Sequence, residues 1–368
     1  MASANPHELL TTLLQEVSRS FYLTMRILPG AIRRQISLAY LLARTTDTIA
    51  DTPLVPTADR LAALDQLRRR ILGLTGAPLD FGRFVPGQAS PASAPARAER
   101  ILLERVEEAL AILATFAPAD QQLIREVLGV IVSGQELDLR RFDLGRDPSG
   151  PAARGQPAPG AGHGAPAPGS RPGEPIALQN AAELDDYTYR VAGCVGEFWT
   201  RLCRAHLFPA ARLDDAWLLA RGIRFGQGLQ WVNILRDLPA DLRQGRCYLP
   251  ADELAGAGLR PADLLTAASE PRLRPLYHRY LDGAHAHLAA GWEYTQALPR
   301  RQVRLRLACA WPVLLGVRTL AKLRSANPLE PGQRVKVERG EVRQILWRST
   351  AACAWPRAWG GLFQHFGR

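Results

Sequence analysis

The sequence predicts an all-α protein, and two observations carry that expectation. Apolar residues recur three or four positions apart along most of the chain, the spacing that puts them on one face of a helix. No run alternates apolar and polar residues as a half-buried strand would, and no internal repeat signals a solenoid.

In chain order, residues 8–75 carry the helical pattern, interrupted near Pro29 and Pro53. Residues 97–143 continue it as ILLERVEEALAILATF followed by LIREVLGVIVSGQELDL, and it resumes at 180–206, 213–240, 272–297 and 300–326. Two segments break it. Residues 76–96 are rich in Pro, Gly, Ala and Ser. In residues 148–175, 21 of 28 positions are Pro, Gly or Ala, so this stretch has little to bury and is expected to be a low-complexity loop. An insertion within one helical domain is preferred to a domain boundary there, because candidate chemistry lies on both sides. The expected organisation is one domain over 1–342 and a basic, aromatic tail over 343–368.

Composition narrows the function classes. Apolar residues make up 47 % and charged residues 22 %, which excludes a disordered or fibrous chain. The five cysteines (Cys194, Cys203, Cys247, Cys309, Cys353) form no CxxC pair, so neither a zinc site nor a disulfide framework is expected. The longest apolar stretch, Leu307 to Val317, contains Pro312 and is about half a membrane span. The N-terminus lacks a signal peptide's basic and apolar regions, so a cytoplasmic protein is expected. The net charge is +11, and only Lys322 and Lys336 are lysines. Arginine suits bidentate contact with phosphate, although an Arg-rich, Ala-rich composition also accompanies GC-rich coding. A basic chain can bind nucleic acid, anionic lipid or a phosphorylated small molecule. No nucleic-acid-binding motif is present, and nucleic acid is not an expected partner.

Two acidic pairs frame the longer low-complexity segment. Both Asp47-Thr-Ile-Ala-Asp51 and Asp237-Leu-Pro-Ala-Asp241 read D-x-x-x-D. On a helix the two aspartates of each pair share a face and repel, at about 0.2–0.5 kcal/mol. A cation between them removes that penalty, and Mg²⁺ is commonly held by one or two carboxylates plus substrate phosphates. Two such pairs facing each other would clamp a diphosphate. Arg44 falls on the side of Asp47. Gln230, Asn233, Asp237 and Asp241, with Arg236 beside them, line one helical stripe too polar for a core face. The plainer alternative is a charged exterior. Ser18-Arg19-Ser20 could bind phosphate or cap a helix. In Tyr187-Thr-Tyr189-Arg190-Val-Ala192-Gly193-Cys-Val-Gly196, the small residues make a smooth face for another helix or a long apolar chain, and the tyrosines could place a hydroxyl near it.

Together SRSF at 18–21, LLARTTDTIAD at 41–51, YTYRVAGCVG at 187–196 and LQWVNILRDLPADLRQGRCYLP at 229–250 resemble the squalene/phytoene synthase family of head-to-head prenyl transferases. The likeness runs from about residue 14 to residue 340. LACAWPVLLGVRTLAKLRS at 307–325 and VKVERGEV at 335–342 are most similar to the NADPH-using squalene synthase branch. The resemblance implies an isoprenoid-synthase helical bundle around a central cavity. It implies Asp47, Asp51, Asp237 and Asp241 as Mg²⁺ ligands bridged to farnesyl diphosphate. Ser18, Arg19, Ser20, Arg44, Gln230, Asn233 and Arg236 would contact diphosphate, and Lys336 and Arg339 the phosphates of NADPH. The implied reaction passes through presqualene diphosphate to squalene in a dry cavity, since water would trap the cations. Two other outcomes stay open: a synthase that stops at presqualene diphosphate or a phytoene-like or dehydrosqualene product, and a non-catalytic binding member of the fold. One departure stands out. Where many members have Tyr directly before Val-Ala-Gly, this chain has Arg190, leaving Tyr187 and Tyr189 as proton-handling candidates and released diphosphate as another acceptor.

The tail contains Trp347, Trp355, Trp359, Phe363 and Phe366 with Arg343, Arg348, Arg357 and Arg368, and no Asp or Glu. Aromatics with arginine suit a membrane interface. Eukaryotic squalene synthases carry a C-terminal anchor, and here a peripheral contact on the inner leaflet is expected instead, against packing on the bundle.

Overall fold

The apolar periodicity is realised as helices almost throughout. The computed structural model describes residues 9–18, 22–52, 55–84, 94–143, 174–330, 332 and 334–368. Two compact units divide the chain. The first takes residues 1–165 with Arg201–Leu207, and the second takes residues 166–200 with Phe208–Arg368.

In the first unit, helix α1 (Leu14–Ser18) and α2 (Tyr22–Ile27) lead into the long α3 (Gly30–Asp51), then α4 (Thr57–Ile71), α5 (Ala94–Glu104), α6 (Val106–Ala114) and α7 (Pro118–Asp138). Pro29 and Pro56 stand just before α3 and α4, where a fixed φ and a missing N–H cost a helix nothing. α3 is the centre of this unit and packs on α4, α5, α6 and α7. Its Ile32, Leu38, Leu41, Leu42 and Ile49 are fully buried. Of the expected 76–96 loop, residues 76–84 and 94–96 are described; Phe81 and Phe84 are buried, and the loop ends sooner than expected, because 94–96 already form the first turn of α5. Residues 144–173 lie outside the described residues.

The second unit contains α8 (Ala181–Thr188), most of α9 (Cys194–His206), α10 (Asp215–Arg243), α11 (Ala251–Gly256), α12 (Glu270–Ala297), α13 (Val303–Ser325), α14 (Arg339–Ala352) and α15 (Pro356–Phe366). One π-helical turn, Tyr189–Gly193, joins α8 to α9. A two-residue parallel strand pair, β1 (Ile176–Ala177) with β2 (Arg246–Cys247), closes the chain behind α10. Among the described residues it is the whole sheet content.

The small-residue face at 192–196 receives another helix. A Cβ on Gly196 would lie 1.9 Å from the Gly222 carbonyl oxygen of α10, and one on Gly226 would lie 2.0 Å from that of Ala192. Backbone meets backbone there, and no larger residue fits. The tail is also helical: α14 and α15 pack on α13, and Trp359, Phe363 and Phe366 are buried. No helix among the described residues is long and apolar enough to cross a membrane.

Candidate active site

The first aspartate pair occupies the last turns of α3. Asp47 accepts a hydrogen bond from the Gln135 amide of α7 and lies 3.7 Å from Arg44. Arg44 is shared with Glu99 of α5, at 2.5 Å. Burial, then the Asp51 charge, raise the Asp47 carboxyl to about 7 against the opposing pull of Arg44 and Gln135. Its side chain nevertheless keeps 45 % of its surface open: protein crowds the group while leaving it reachable. Asp51 ends the helix and is exposed. Beneath it, the buried Arg60 of α4 donates to the Ala50 carbonyl at 2.7 Å and to Thr57 Oγ1 at 3.0 Å, and pairs with Asp143 at 3.1 Å. Helix ends leave carbonyls without intrahelical partners, and Arg60 takes this one.

The second pair lies in the other unit, on α10. Arg236 grips Asp237 with two N–H groups, and Arg334, beyond α13, stands 3.6 Å from the same carboxylate. Asp237, Asp241, Arg236, Arg243, Glu330 and Arg334 line one open recess. Pro239, between the two aspartates, has no N–H, so the Leu235 carbonyl loses its helical partner. The buried Tyr277 hydroxyl of α12 donates to it at 2.9 Å. Burial pushes the Tyr277 phenol upward, so it remains a donor.

Further along the same stripe, Asn233 donates to Gln230 and Gln230 donates to the Tyr187 hydroxyl, each at 3.4 Å. Tyr187 is buried and stacked on Tyr248, ring centroids 4.6 Å apart. Tyr187 therefore stands with the polar stripe. Tyr189 instead donates to Glu197 at 3.0 Å, and Arg190 pairs with Asp186 at 2.8 Å. Lys336 and Arg339 are exposed. The Lys336 carbonyl accepts from Lys322 at 3.2 Å, and Arg339 opens α14.

Ser18 closes α1 rather than capping the start of a helix. It is 3 % exposed, and its hydroxyl has no partner among the described residues. Arg19 and Ser20 lie outside those residues. Sequence reading missed Glu99, Gln135, Arg60, Arg334, Tyr248 and Tyr277. Gln135 alone carried a signal: it continues the stripe Ile124–Leu128–Ile131, where an apolar residue belongs.

Among the described residues no three acidic, His or Cys side chains gather into a metal cage. Paired carboxylates without a cage suit a hard cation that completes its shell with water and phosphate. The repulsion from Asp51, the second cause of the raised Asp47 carboxyl after burial, is what a cation would relieve. The donor sets thus fit Mg²⁺.

The squalene/phytoene synthase family model matches residues 14–341. The chain belongs to that family. The chain is 28 % identical to a presqualene diphosphate synthase of Sinorhizobium fredii over 333 residues, 89 % of this chain and 92 % of the relative. It is 25 % identical to a bifunctional lycopene cyclase/phytoene synthase of Arthroderma gypseum over 295 residues, 78 % of this chain but 42 % of that protein. The solved complex of TcSQS with the ligand E5700 superposes with a TM-score of 0.73 at 20 % identity, covering 98 % of this chain and 90 % of that one. That likeness establishes the fold. Family members are prenyl transferases, and the four motifs read from the sequence fall within the matched span.

Proposed function

We propose that the chain condenses two molecules of farnesyl diphosphate head to head to presqualene diphosphate and reduces that product with NADPH to squalene. Residues 1–342 act as the synthase domain. The observation that carries the reading is the Asp47/Asp51 carboxylate pair at the end of α3, with Arg44 and Gln135 on Asp47; burial first and the Asp51 charge second raise the Asp47 carboxyl, and the like-charge part of that favours a bound cation. Asp237 and Asp241 form the second such pair.

In the first step the C1–O bond of one donor breaks and diphosphate leaves. The double bond of the second donor attacks the allylic cation, and a proton is lost as the cyclopropane closes. Asp47 with Asp51, and Asp237 with Asp241, would each hold Mg²⁺, which would supply positive charge to a departing diphosphate. Arg44 beside the first pair, and Arg236 and Arg334 beside the second, add fixed positive charge for diphosphate. Ser18, Arg19, Ser20, Gln230 and Asn233 contact the diphosphates. The Tyr187 hydroxyl, oriented by Gln230 and Tyr248, is the proton-handling group. Tyr189, committed to Glu197, stands behind it. In the second step presqualene diphosphate would lose its diphosphate and the ring rearrange, and bound NADPH would supply the hydride, for squalene, diphosphate and NADP⁺ overall. Lys336 and Arg339, exposed and without a carboxylate partner among the described residues, hold the cofactor's phosphates. A C30 hydrocarbon product belongs in a bilayer, and peripheral membrane contact through 343–368 is part of the same reading.

A second reading ends the reaction at presqualene diphosphate. The Sinorhizobium fredii relative, similar along 92 % of its length, favours it. Purified protein incubated with farnesyl diphosphate and Mg²⁺, with and without NADPH, separates the two by mass spectrometry. Squalene formed only with NADPH supports the full reaction. Presqualene diphosphate in both tubes removes the reductive step, and unconsumed farnesyl diphosphate removes the reaction.

A further inference from the structure

The tail is a fixed helical hairpin, and its fixity separates its aromatics into two sets. Trp359 stacks on Trp292 at 5.4 Å and carries Arg306 over its face at 4.4 Å, and Phe363 packs on His285 at 5.1 Å. The Trp311 indole donates to Ser349 of α14 at 3.0 Å. Those contacts hold the hairpin against α12 and α13. Trp347 and Trp355 are left outside, 71 % and 63 % exposed. They border one shallow groove floored by Ala351, Ala358 and Gly361. Val303, 43 % exposed, stands one turn before Arg306 on α13. Water-facing tryptophans in one patch mark an interaction surface.

The charge around them has one sign. Arg343 and Arg357 are exposed, Arg348 lines the groove, and Arg300, Arg301 and Arg304 cluster about Val303. Among the described residues none of the six pairs with a carboxylate. Residues 343–368 contain no Asp or Glu. Burial, then the positive charges of Arg348, Arg368 and Arg318, hold the His365 imidazole below its usual range.

We infer that this face, Trp347 and Trp355 ringed by Arg343, Arg348 and Arg357, docks on an anionic lipid bilayer. Tryptophan sits at headgroup level with its ring in the acyl boundary and its N–H in the wet layer. Arginine pairs with lipid phosphates. A second copy of the same face would bring like charges together and be repelled. The inference rests on the proposed reaction in one respect, that a C30 product leaves into a bilayer.

The test is co-sedimentation of the full chain with phosphatidylcholine–phosphatidylglycerol vesicles and with phosphatidylcholine alone, beside turnover of farnesyl diphosphate in detergent solution. The wild type is expected to bind the anionic vesicles and to release them as salt rises. W347S/W355S is expected to lose vesicle binding with turnover in detergent and thermal midpoint unchanged. R343Q/R357Q is expected to bind on the order of 30-fold more weakly, two surface charges being removed. Vesicle binding equal in wild type and both variants overturns the inference. So does loss of self-association in place of vesicle binding, which would make the face a contact between copies. Absent turnover with intact, tryptophan-dependent vesicle binding removes the proposed reaction and leaves the surface standing.

Discussion

The two aspartate pairs share a spacing and differ in what holds the helix beneath them. Below Asp51, an unbroken helix ends and the guanidinium of Arg60, itself paired with Asp143, takes the freed Ala50 carbonyl. Below Asp237, a proline inside the helix frees the Leu235 carbonyl, and the neutral Tyr277 hydroxyl takes it. The carboxylates differ in parallel. Asp47 has one shared arginine and a neutral amide for company, whereas Asp237 has two arginines. One i, i+4 motif is thus mounted once on a buried charge and once on a buried hydroxyl. The first mounting fails badly if a partner is removed, and the second fails mildly.

Substitution tests the comparison, starting with activity. D47N and D237N are each expected to lower kcat about 10²–10³-fold, the cost of removing one element of electrostatic stabilisation; a loss at only one pair would make the pairs unequal in chemistry as well as in mounting. R60M removes the buried guanidinium that holds the Ala50 carbonyl and pairs with Asp143 and is expected to cost about 3–5 kcal/mol in denaturant unfolding, with R60M/D143L recovering part of it. Y277F orphans only the Leu235 carbonyl and is expected to cost about 1–3 kcal/mol. Equal losses for R60M and Y277F would erase the distinction.

A smaller effect separates the pairs by pH. The Asp47 carboxyl is raised from 3.8 to about 7 in the folded protein. Its contribution is full below pH 3.8 and is lost as pH rises through about 7. In chelator, the wild type should therefore lose stability relative to D47N between about pH 4 and pH 7, followed by thermal unfolding. A flat difference would show that Asp47 is solvated like a surface carboxylate. Glu341 has the opposite sign. Burial alone would raise it, but hydrogen bonds from Lys322, the Glu338 N–H and Arg318 hold it at about 2. The advantage of wild type over E341Q should be complete above pH 4.5 and vanish as pH falls through about 2.

The helices and the carboxylates were legible in the sequence because both depend on local spacing. Apolar period marks a helix, and two aspartates four apart share a face whatever surrounds them. The mountings were not legible, because they are chosen by tertiary contact. Pro239 announces an orphaned carbonyl four residues earlier, but nothing local says that Tyr277, 42 positions from Leu235, will take it. Nothing local in the sequence sets Arg60 apart from the other arginines. Gln135 was findable as a polar residue on an apolar stripe. The tail read as an interfacial segment because its aromatics were taken together. Their spacing at 359, 363 and 366 is a helical stripe, and those three are the ones that turn inward.

The glycine contacts between α9 and α10 have a mechanical consequence. Where Gly196 meets Gly222 and Ala192 meets Gly226, there is no side chain to change rotamer and hence no slack. The π-helical turn that follows Tyr187 and the helix that bears Gln230 and Asp237 are seated as one rigid joint. Tyr187 and the second aspartate pair therefore shift together or stay still together, and the hydroxyl keeps its aim on the stripe.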